Sequence, residues 1–239
     1  METEGSFGSL LRWAADHGIS DSIDQHTSRS CLGRSLCVSF FPDSGGRGLA
    51  AVRQLNKGEL ILRAPKSVLL TTQSLSLEDE KLAMALKIFP SLSSTQKLTF
   101  CLLNEISKGA SSRWFPYLKH LPQSYDILAT FGEFEKQALQ VDYAIWATEK
   151  AALKSRMDWR GVKGLMQESN IKNQLQTFKA WLWASATWKL LAQRLLDHPK
   201  QEYLDAPSST ITFCTHITFK VPIAFCCHRI ELLNSFSFL

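Results

Sequence analysis

The sequence contains no uninterrupted apolar run of the roughly 18 residues that a membrane-spanning helix needs, so no membrane-embedded segment is predicted. It also contains no long block of like charge, no internal repeat and no low-complexity tract. The net charge of +5 over 239 residues is too small and too dispersed for a typical nucleic-acid binder. A hydrophobic content of 45% is enough for a folded core, so the chain is expected to form at least one globular domain.

Cysteine is scarce and irregularly spaced, which argues against a disulfide scaffold and favours a reducing compartment. The six cysteines are Cys31, Cys37, Cys101, Cys214, Cys226 and Cys227. The run Cys226-Cys227-His228 matches no common zinc-ligand spacing, so no metal site is predicted. The acidic N-terminus resembles neither a secretory signal nor a transit peptide, and we expect a cytoplasmic or nuclear protein.

The first third of the chain alternates between helical and strand patterns. Apolar residues from Phe7 to Ala14 follow helical spacing and stop at Gly18, which predicts a helix end. Three strands follow in a short β-meander, predicted over residues 36–41, 49–55 and 60–64. The first two strands are separated by a turn that contains the glycine-rich run Gly45-Gly46-Arg47-Gly48.

The middle of the chain is predicted to be mainly helical. Ser93 and Gln96 have the spacing of a capping box and should begin a helix. Further helices are expected over residues 134–158 and 174–196. After residue 208 the sequence is β-prone and almost uncharged, and such segments aggregate unless a partner strand or a core covers them.

The glycine-rich turn is the strongest candidate for a ligand site. Glycines between two strands allow a ligand close to the backbone and leave its N–H and C=O groups free to bind. A plain glycine-rich hairpin explains the same residues and stays open as an alternative. The run is neither a dinucleotide-binding fingerprint nor a P-loop, because the required third glycine or Gly-Lys-Ser/Thr is missing. No serine or cysteine stands in a pattern that indicates a catalytic nucleophile.

Three motifs in order resemble a SET domain of the class typified by the Rubisco large-subunit lysine methyltransferase and its plant SET-domain-group relatives. The first is Gly45-Gly-Arg-Gly-Leu-Ala-Ala51 with the Leu60-Ile-Leu-Arg-Ala-Pro65 strand. The second is Trp114-Phe-Pro-Tyr-Leu118 followed by Leu121-Pro-Gln-Ser-Tyr125. The third is the helical stretch from Phe178 to Thr187.

The resemblance implies an α+β fold that binds S-adenosylmethionine and methylates a protein lysine. It places backbone groups of Gly45, Gly46, Arg47 and Gly48 beside the methionine portion of the cofactor. The expected organisation is a helical lead-in at 1–30, the N-terminal β region of the SET domain at 31–75, a large helical insertion at 76–187 and a divergent tail at 188–239. Nothing in the sequence names the protein substrate.

The sequence departs from the family after Thr187. The class implies an Asn-His motif that contacts the cofactor and a later tyrosine that orients the substrate amine. The chain has no Asn-His dipeptide, and its one tyrosine after Thr187, Tyr203, matches no family context. We therefore expect a truncated form without the C-terminal SET core, with no assignable catalytic residue and little or no activity. The alternative is a non-catalytic helical protein-interaction module.

Overall fold

A computed structural model describes residues 3–22, 31–41, 46–56, 59–196, 210–214 and 229–230 of the chain. For residues 3–6, 41, 46–47, 189–196 and the last two segments, the description covers the backbone only. The chain divides into two compact units. The first comprises residues 1–69, 116–121 and 192–239, and the second comprises residues 70–115 and 122–191.

The described elements are mostly helices, with short strands near both ends of the chain. The helices are α1 (Thr3–Asp16), α2 (Thr72–Glu78), α3 (Glu80–Ile88), α4 (Ser94–Lys108), α5 (Phe115–Leu118), α6 (Glu133–Ala138), α7 (Asp142–Glu168) and α8 (Phe178–Leu196). Short 3₁₀ turns span Lys66–Val68, Gly109–Ser111, Leu128–Thr130 and Asn173–Leu175. The strands are β1 (Leu36–Phe41), β2 (Gly46–Ala51), β3 (Leu60–Pro65), β4 (Thr210–Cys214) and β5 (Arg229–Ile230).

In the first unit, α1 ends where the sequence predicts. Gly18 follows the helix with φ of 78°, a left-handed conformation that glycine adopts without strain. A Cβ atom at this position would come within 3.2 Å of the Pro65 ring. A larger residue at position 18 would therefore need the left-handed backbone and a shift of a few tenths of an ångström by the Pro65 ring.

The strands of the first unit form two small sheets in place of one continuous meander. Strands β1 and β2 pair antiparallel, and β2 pairs in parallel with β5 on its other edge. Strand β3 departs from the expected meander, because it pairs antiparallel with β4 and its residue Arg63 forms a bridge with Ser20. The β-prone sequence that becomes β4 thus has the partner strand that it needs.

The core of the first unit combines one face of α1 with the inner faces of the strands. Its fully buried apolar residues include Leu10, Ile19, Leu36, Leu49, Ile61 and Leu62. The ring of Phe7 also meets that of His120 edge-on, with 5.0 Å between the ring centroids. The segment 116–121 therefore belongs to this core, although it is distant from α1 in the sequence.

The second unit contains helices joined by loops, and no strand occurs among its described residues. The capping box that the sequence predicts at α4 is present: Ser93 Oγ accepts from the Gln96 N–H at 3.2 Å, and Gln96 Oε1 accepts from the Ser93 N–H at 2.9 Å. The helix predicted over residues 134–158 is instead divided. Helix α6 ends at Ala138, and α7 then runs for 27 residues.

The core of the second unit lies between α4, α7 and α8. Its fully buried side chains include Phe100, Leu102, Leu103, Trp114, Val162, Leu165 and Trp181. Two tryptophans of α8 also form hydrogen bonds to carbonyl groups, since the indole N–H of Trp183 donates to Pro122 at 2.8 Å and that of Trp188 donates to Leu98 at 2.9 Å. No helix in the described part of the chain combines the length and apolar character needed to cross a bilayer.

Candidate functional site

The predicted glycine site lies mostly inside a strand. Gly46, Arg47 and Gly48 are the first three residues of β2, opposite Phe41, Phe40 and Ser39 of β1. Gly45 lies outside the described residues. The expectation of one turn over positions 45–48 is therefore corrected, because the β1–β2 ladder extends to the Phe41–Gly46 pair and leaves positions 42–45 as the connection.

The two glycines of this segment are placed differently. Gly48 is buried, and it lies opposite Ser39 on one edge and Arg229 of β5 on the other. Gly46 is the last residue of the ladder with β1, so it adjoins the connecting segment. A ligand can therefore approach the backbone of β2 closely at both glycines, since neither carries a side chain.

A buried carboxylate fixes the beginning of β1. Asp21 Oδ2 accepts hydrogen bonds from four consecutive backbone N–H groups, those of Gly33, Arg34, Ser35 and Leu36, at 2.8–3.0 Å. The N–H groups converge because the chain folds into a tight loop, in which Gly33 adopts φ of 129° and its N–H also reaches the Leu36 carbonyl at 2.8 Å. Such concave arrangements of N–H groups bind anions strongly.

The same segment is tied to other elements of the first unit. The Asp21 N–H donates to the Cys31 carbonyl at 2.9 Å, and Ser20 exchanges two backbone hydrogen bonds with Arg63 of β3 at 2.8 and 3.0 Å. Residues 20–21 therefore connect the end of α1, the start of β1 and the middle of β3. This carboxylate site was not predicted, because the partners of Asp21 lie 12 to 15 residues further along the chain.

An ion pair closes the segment that follows β2. Arg53 contacts Glu59, and its guanidinium also donates to Ser35 Oγ at 2.8 Å. Glu59 Oε2 accepts from the Asn56 N–H at 3.0 Å. The hydrogen bond from Arg53 lowers the pKa of Glu59, and the same bond raises the pKa of Arg53. The loop between β2 and β3 is thereby attached to the residue that precedes β1.

In the second unit, the structure brings together two of the three sequence motifs. Trp183 of the third motif donates to the carbonyl of Pro122 in the second, and its ring lies 6.3 Å from that of Tyr125. The neighbouring motif residues Trp181, Ala184 and Ala186 are fully buried. These residues build the core of the unit, so their part in the motif is structural.

Other acidic, cysteine and histidine residues have structural roles or lie outside the described residues. Asp79 caps α3 by accepting from the Leu82 N–H at 3.0 Å, Glu80 lies in the first turn of that helix, and Glu78 pairs with Arg113 at 2.6 Å. His216, Cys226, Cys227 and His228 are outside the described residues, and the side chain of Cys214 is not described. Among the described side chains, no group of three metal-ligating residues is assembled.

Sequence comparison finds relatives of this chain among known proteins. No family model matches the chain. Protein SET DOMAIN GROUP 40 from Arabidopsis thaliana is 58% identical over 179 residues, which are 74% of this chain and 36% of that protein. The actin-histidine N-methyltransferase of Xenopus tropicalis is 30% identical over 150 residues, 59% of this chain and 22% of that protein. The chain thus spans about a third or less of the length of these relatives.

The fold is also that of solved SET domains. The structure of Rubisco LSMT bound to sinefungin and monomethyllysine matches with a TM-score of 0.63 at 15% identity, over 87% of this chain and 49% of that chain. The SET domain of LSMT bound to lysine and AdoHcy matches with a TM-score of 0.62 at 17% identity, over 90% of this chain and 43% of that chain. The chain therefore has a SET-domain fold, and over 74% of its length it is similar in sequence to a plant protein of the SET-domain group.

Proposed function

We propose that the chain carries part of an S-adenosylmethionine-dependent protein methyltransferase and binds the methionine portion of the cofactor at the start of β2. The observation that carries the proposal is the position of Gly46 and Gly48, two residues apart on β2, which leave one face of the start of this strand without side chains. The neighbouring solved structures hold AdoMet, AdoHcy or sinefungin, and the Arabidopsis relative is a SET-domain protein.

The described residues fit such a ligand in one specific respect. The methionine portion of the cofactor carries an ammonium and a carboxylate, which backbone carbonyl and N–H groups can bind. Gly46 and Gly48 carry no side chain, so a ligand can reach the backbone of β2 at these two positions. Arg47 lies between the two glycines, and in this proposal it contributes only its backbone.

The scaffold around the glycines is held rigid by side chains far from them in sequence. Asp21 fixes the first residue of β1, and Arg53 attaches the segment after β2 to Ser35. Rigid placement matters because a preorganised site loses less conformational freedom when the ligand binds. When bound, the cofactor supplies the electrophilic methyl group of the reaction.

We further propose that this chain alone has little catalytic activity. Methyl transfer to an amine needs the amine neutral, aligned with the methyl group and shielded from water. The resemblance assigns part of that task to an Asn-His motif and a tyrosine, and no Asn-His dipeptide occurs in the sequence. The protein substrate of a complete relative is proposed only as a class: a protein whose lysine, or less readily another side chain, accepts a methyl group.

Cofactor binding can be measured by thermal unfolding of the full chain with increasing S-adenosylmethionine. A ligand that binds the native state raises the midpoint in proportion to the logarithm of its concentration above Kd. The substitutions G46A and G48A should reduce this rise, whereas G8A is the matched control, because a Cβ at Gly8 of α1 meets no atom within 4 Å. An unchanged midpoint at millimolar cofactor would contradict the proposal.

Activity is a separate measurement. With methyl-labelled cofactor and a mixture of extracted leaf proteins, the full chain should transfer almost no label. Robust transfer that G46A or G48A abolishes would overturn the proposal of low activity while supporting that of cofactor binding. The alternative function, a non-catalytic helical interaction module, gains support if the cofactor leaves the unfolding midpoint unchanged. The apolar face of α7 is the feature that favours this alternative.

A further inference from the structure

Helix α7 carries two faces of opposite character. Its buried residues Thr148, Ser155 and Val162 recur every seven positions and face the core of the second unit. The opposite face exposes large apolar side chains: Tyr143 is 72% exposed, Trp146 50%, Leu153 60% and Met157 60%. Such a row of exposed apolar residues on one helix is typical of an interaction surface.

The spacing of this row is that of a coiled-coil seam. With Lys150 included, the positions 143, 146, 150, 153 and 157 alternate by three and four residues, which is the a/d pattern of a heptad repeat. We name this row the α7 stripe. The next position of the pattern is Arg160, which is also exposed. With Arg160 included, the α7 stripe has the spacing of a two-helix contact surface over about three heptads.

The two cations of the stripe decide the direction in which a second copy of the helix would lie. A parallel pair brings Lys150 against Lys150 and Arg160 against Arg160 of the second copy, and both contacts are repulsive. An antiparallel pair that sets Lys150 opposite Leu153 also sets Trp146 opposite Met157 and Tyr143 opposite Arg160. Each cation then lies on an apolar or aromatic side chain, as Lys150 already does on the Trp146 ring, with 4.5 Å between Nζ and the ring centroid.

The charges that flank the stripe have the same antiparallel symmetry. The a positions of the repeat are residues 143, 150, 157 and 164. The residue before each of them is exposed and charged, acidic in the first half of α7 and basic in the second: Asp142, Glu149, Arg156 and Lys163. In the antiparallel register above, Glu149 faces Arg156 of the second copy and Asp142 faces Lys163. Each pair occurs twice by the two-fold symmetry, so four opposite-charge contacts line the stripe.

We propose that α7 is a self-association surface and that two copies of the chain form an antiparallel dimer through the α7 stripe. The occupant is a second copy because the helix is complementary to itself in both its apolar seam and its flanking charges. The proposal does not depend on cofactor binding, since every residue that it uses lies on α7.

The test is analytical ultracentrifugation of the full chain and of three charge variants. E149R and R156E should each weaken the dimer roughly tenfold, because each replaces two attractive contacts by two repulsive ones. The double variant E149R/R156E restores opposite charges and should return the dissociation constant to within about twofold of the parent. A parallel dimer pairs Glu149 with Lys154 instead, so the double variant would then not recover.

Apolar substitutions test the seam independently. L153S should weaken the dimer at least tenfold, since two buried leucine side chains are lost. F134S is the matched control, because Phe134 is an 81% exposed aromatic residue on α6 outside the stripe. All four positions are exposed, so circular dichroism should show unchanged helix content. A chain that stays monomeric at millimolar concentration, or a dimer that none of these variants weakens, overturns the proposal.

Discussion

Asp21 Oδ2 accepts a hydrogen bond from the N–H of Leu36, the first residue of β1, at 3.0 Å. Three further N–H groups, from Gly33 to Ser35, converge on the same oxygen, and the carboxylate is largely buried. The candidate glycine segment lies on β2, which pairs with β1. The Asp21 carboxylate therefore holds the start of the β1–β2 hairpin.

Replacing Asp21 should therefore destabilise the first unit strongly. D21A leaves the converging N–H groups without their acceptor, and we expect the free energy of unfolding to fall by about 3 kcal/mol. D21N keeps one acceptor oxygen but loses the charge, and about half of that loss is expected. Urea unfolding measures both effects.

The control for these variants is D16N, which removes an exposed carboxylate at the end of α1. Its effect should stay within about 0.5 kcal/mol. Equal effects of D21N and D16N would show that the convergence of N–H groups on Asp21 contributes nothing specific to stability.

The capping box of α4 gives a second prediction. S93A removes the hydroxyl that accepts from the Gln96 N–H, and this change should cost about 1 kcal/mol of unfolding free energy. S94A is the matched control, because Ser94 is an exposed neighbour inside the helix and alanine has the higher helix propensity. Chemical denaturation should show a lower unfolding free energy for S93A and an equal or higher one for S94A. A loss of equal size in both would contradict a capping role for Ser93.

Local signals in the sequence predicted several elements accurately. The run of β-forming residues gave β1 over residues 36–41, and the capping box marked the start of α4. Both signals depend on residues within a few positions of each other. The break between α6 and α7 was missed because Leu139, Tyr143 and Trp146 keep helical spacing across it. The structure leaves Tyr143 and Trp146 exposed, so this spacing does not mark one buried face.

Long-range pairing was harder to predict. The sequence placed β3 next to β2, whereas the structure pairs it with β4, about 150 residues later in the chain. Ser20 attaches β3 to the end of α1 through backbone groups, and the Asp21 carboxylate attaches the start of β1 by accepting from backbone N–H groups. Neither contact has a sequence signature. The glycine segment was found from composition, but its division between strand and connection depends on how far the ladder extends.

The different burial of Cys31, Cys37 and Cys101 gives a third prediction, on how fast their thiols react. Burial raises the pKa of Cys31 to about 12 and that of Cys101 to about 12. At pH 8 both should be almost wholly protonated and so react slowly with N-ethylmaleimide. Cys37 is less buried and serves as the internal comparison.

Labelling of these three cysteines can be followed by peptide mass spectrometry, with and without urea. We expect the peptides of Cys31 and Cys101 to label at least about a hundredfold faster in urea than in the native chain, and that of Cys37 to change much less. Native labelling of Cys101 at the rate of Cys37 would contradict the packing of α4 in the second unit.

The last prediction concerns the pH dependence of the second unit. Asp79 not only caps α3 but also binds Lys108 at 2.9 Å and Asn104 at 3.2 Å. Lys108 contacts Glu105 as well, whose side chain is only 2% exposed and also accepts from Ser112 Oγ at 2.7 Å. One ammonium therefore neutralises two carboxylates of the same cluster.

The shifts in pKa fix the sign of the pH effect. Burial opposes the charge of Asp79, but hydrogen bonds from Lys108 and from the Leu82 N–H outweigh it and lower its pKa below the ordinary value of 3.8. A carboxyl whose pKa is lower in the folded state stabilises the fold fully above its unfolded pKa. That contribution is lost as the pH falls below 3.8 through the folded-state value.

The alkaline limb has the opposite sign. Burial opposes the charge of Lys108, yet its hydrogen bonds to Glu105 and Asp79 raise its pKa above the ordinary value of 10.5. This contribution is complete below pH 10.5 and is lost as the pH rises through the folded-state value. The cluster therefore stabilises the second unit across the whole neutral range and fails at both extremes.

K108M tests this relationship, because it removes the ammonium and leaves Glu105 buried without its cationic partner. We expect the unfolding free energy at pH 7 to fall by about 2 kcal/mol and the loss of stability below pH 4 to become shallower. K87M, an exposed lysine in the last turn of α3, is the matched control and should leave both quantities nearly unchanged. Urea unfolding from pH 2 to pH 11 measures both limbs, and an acid limb as steep in K108M as in the parent would show that Lys108 does not hold down the pKa of Asp79.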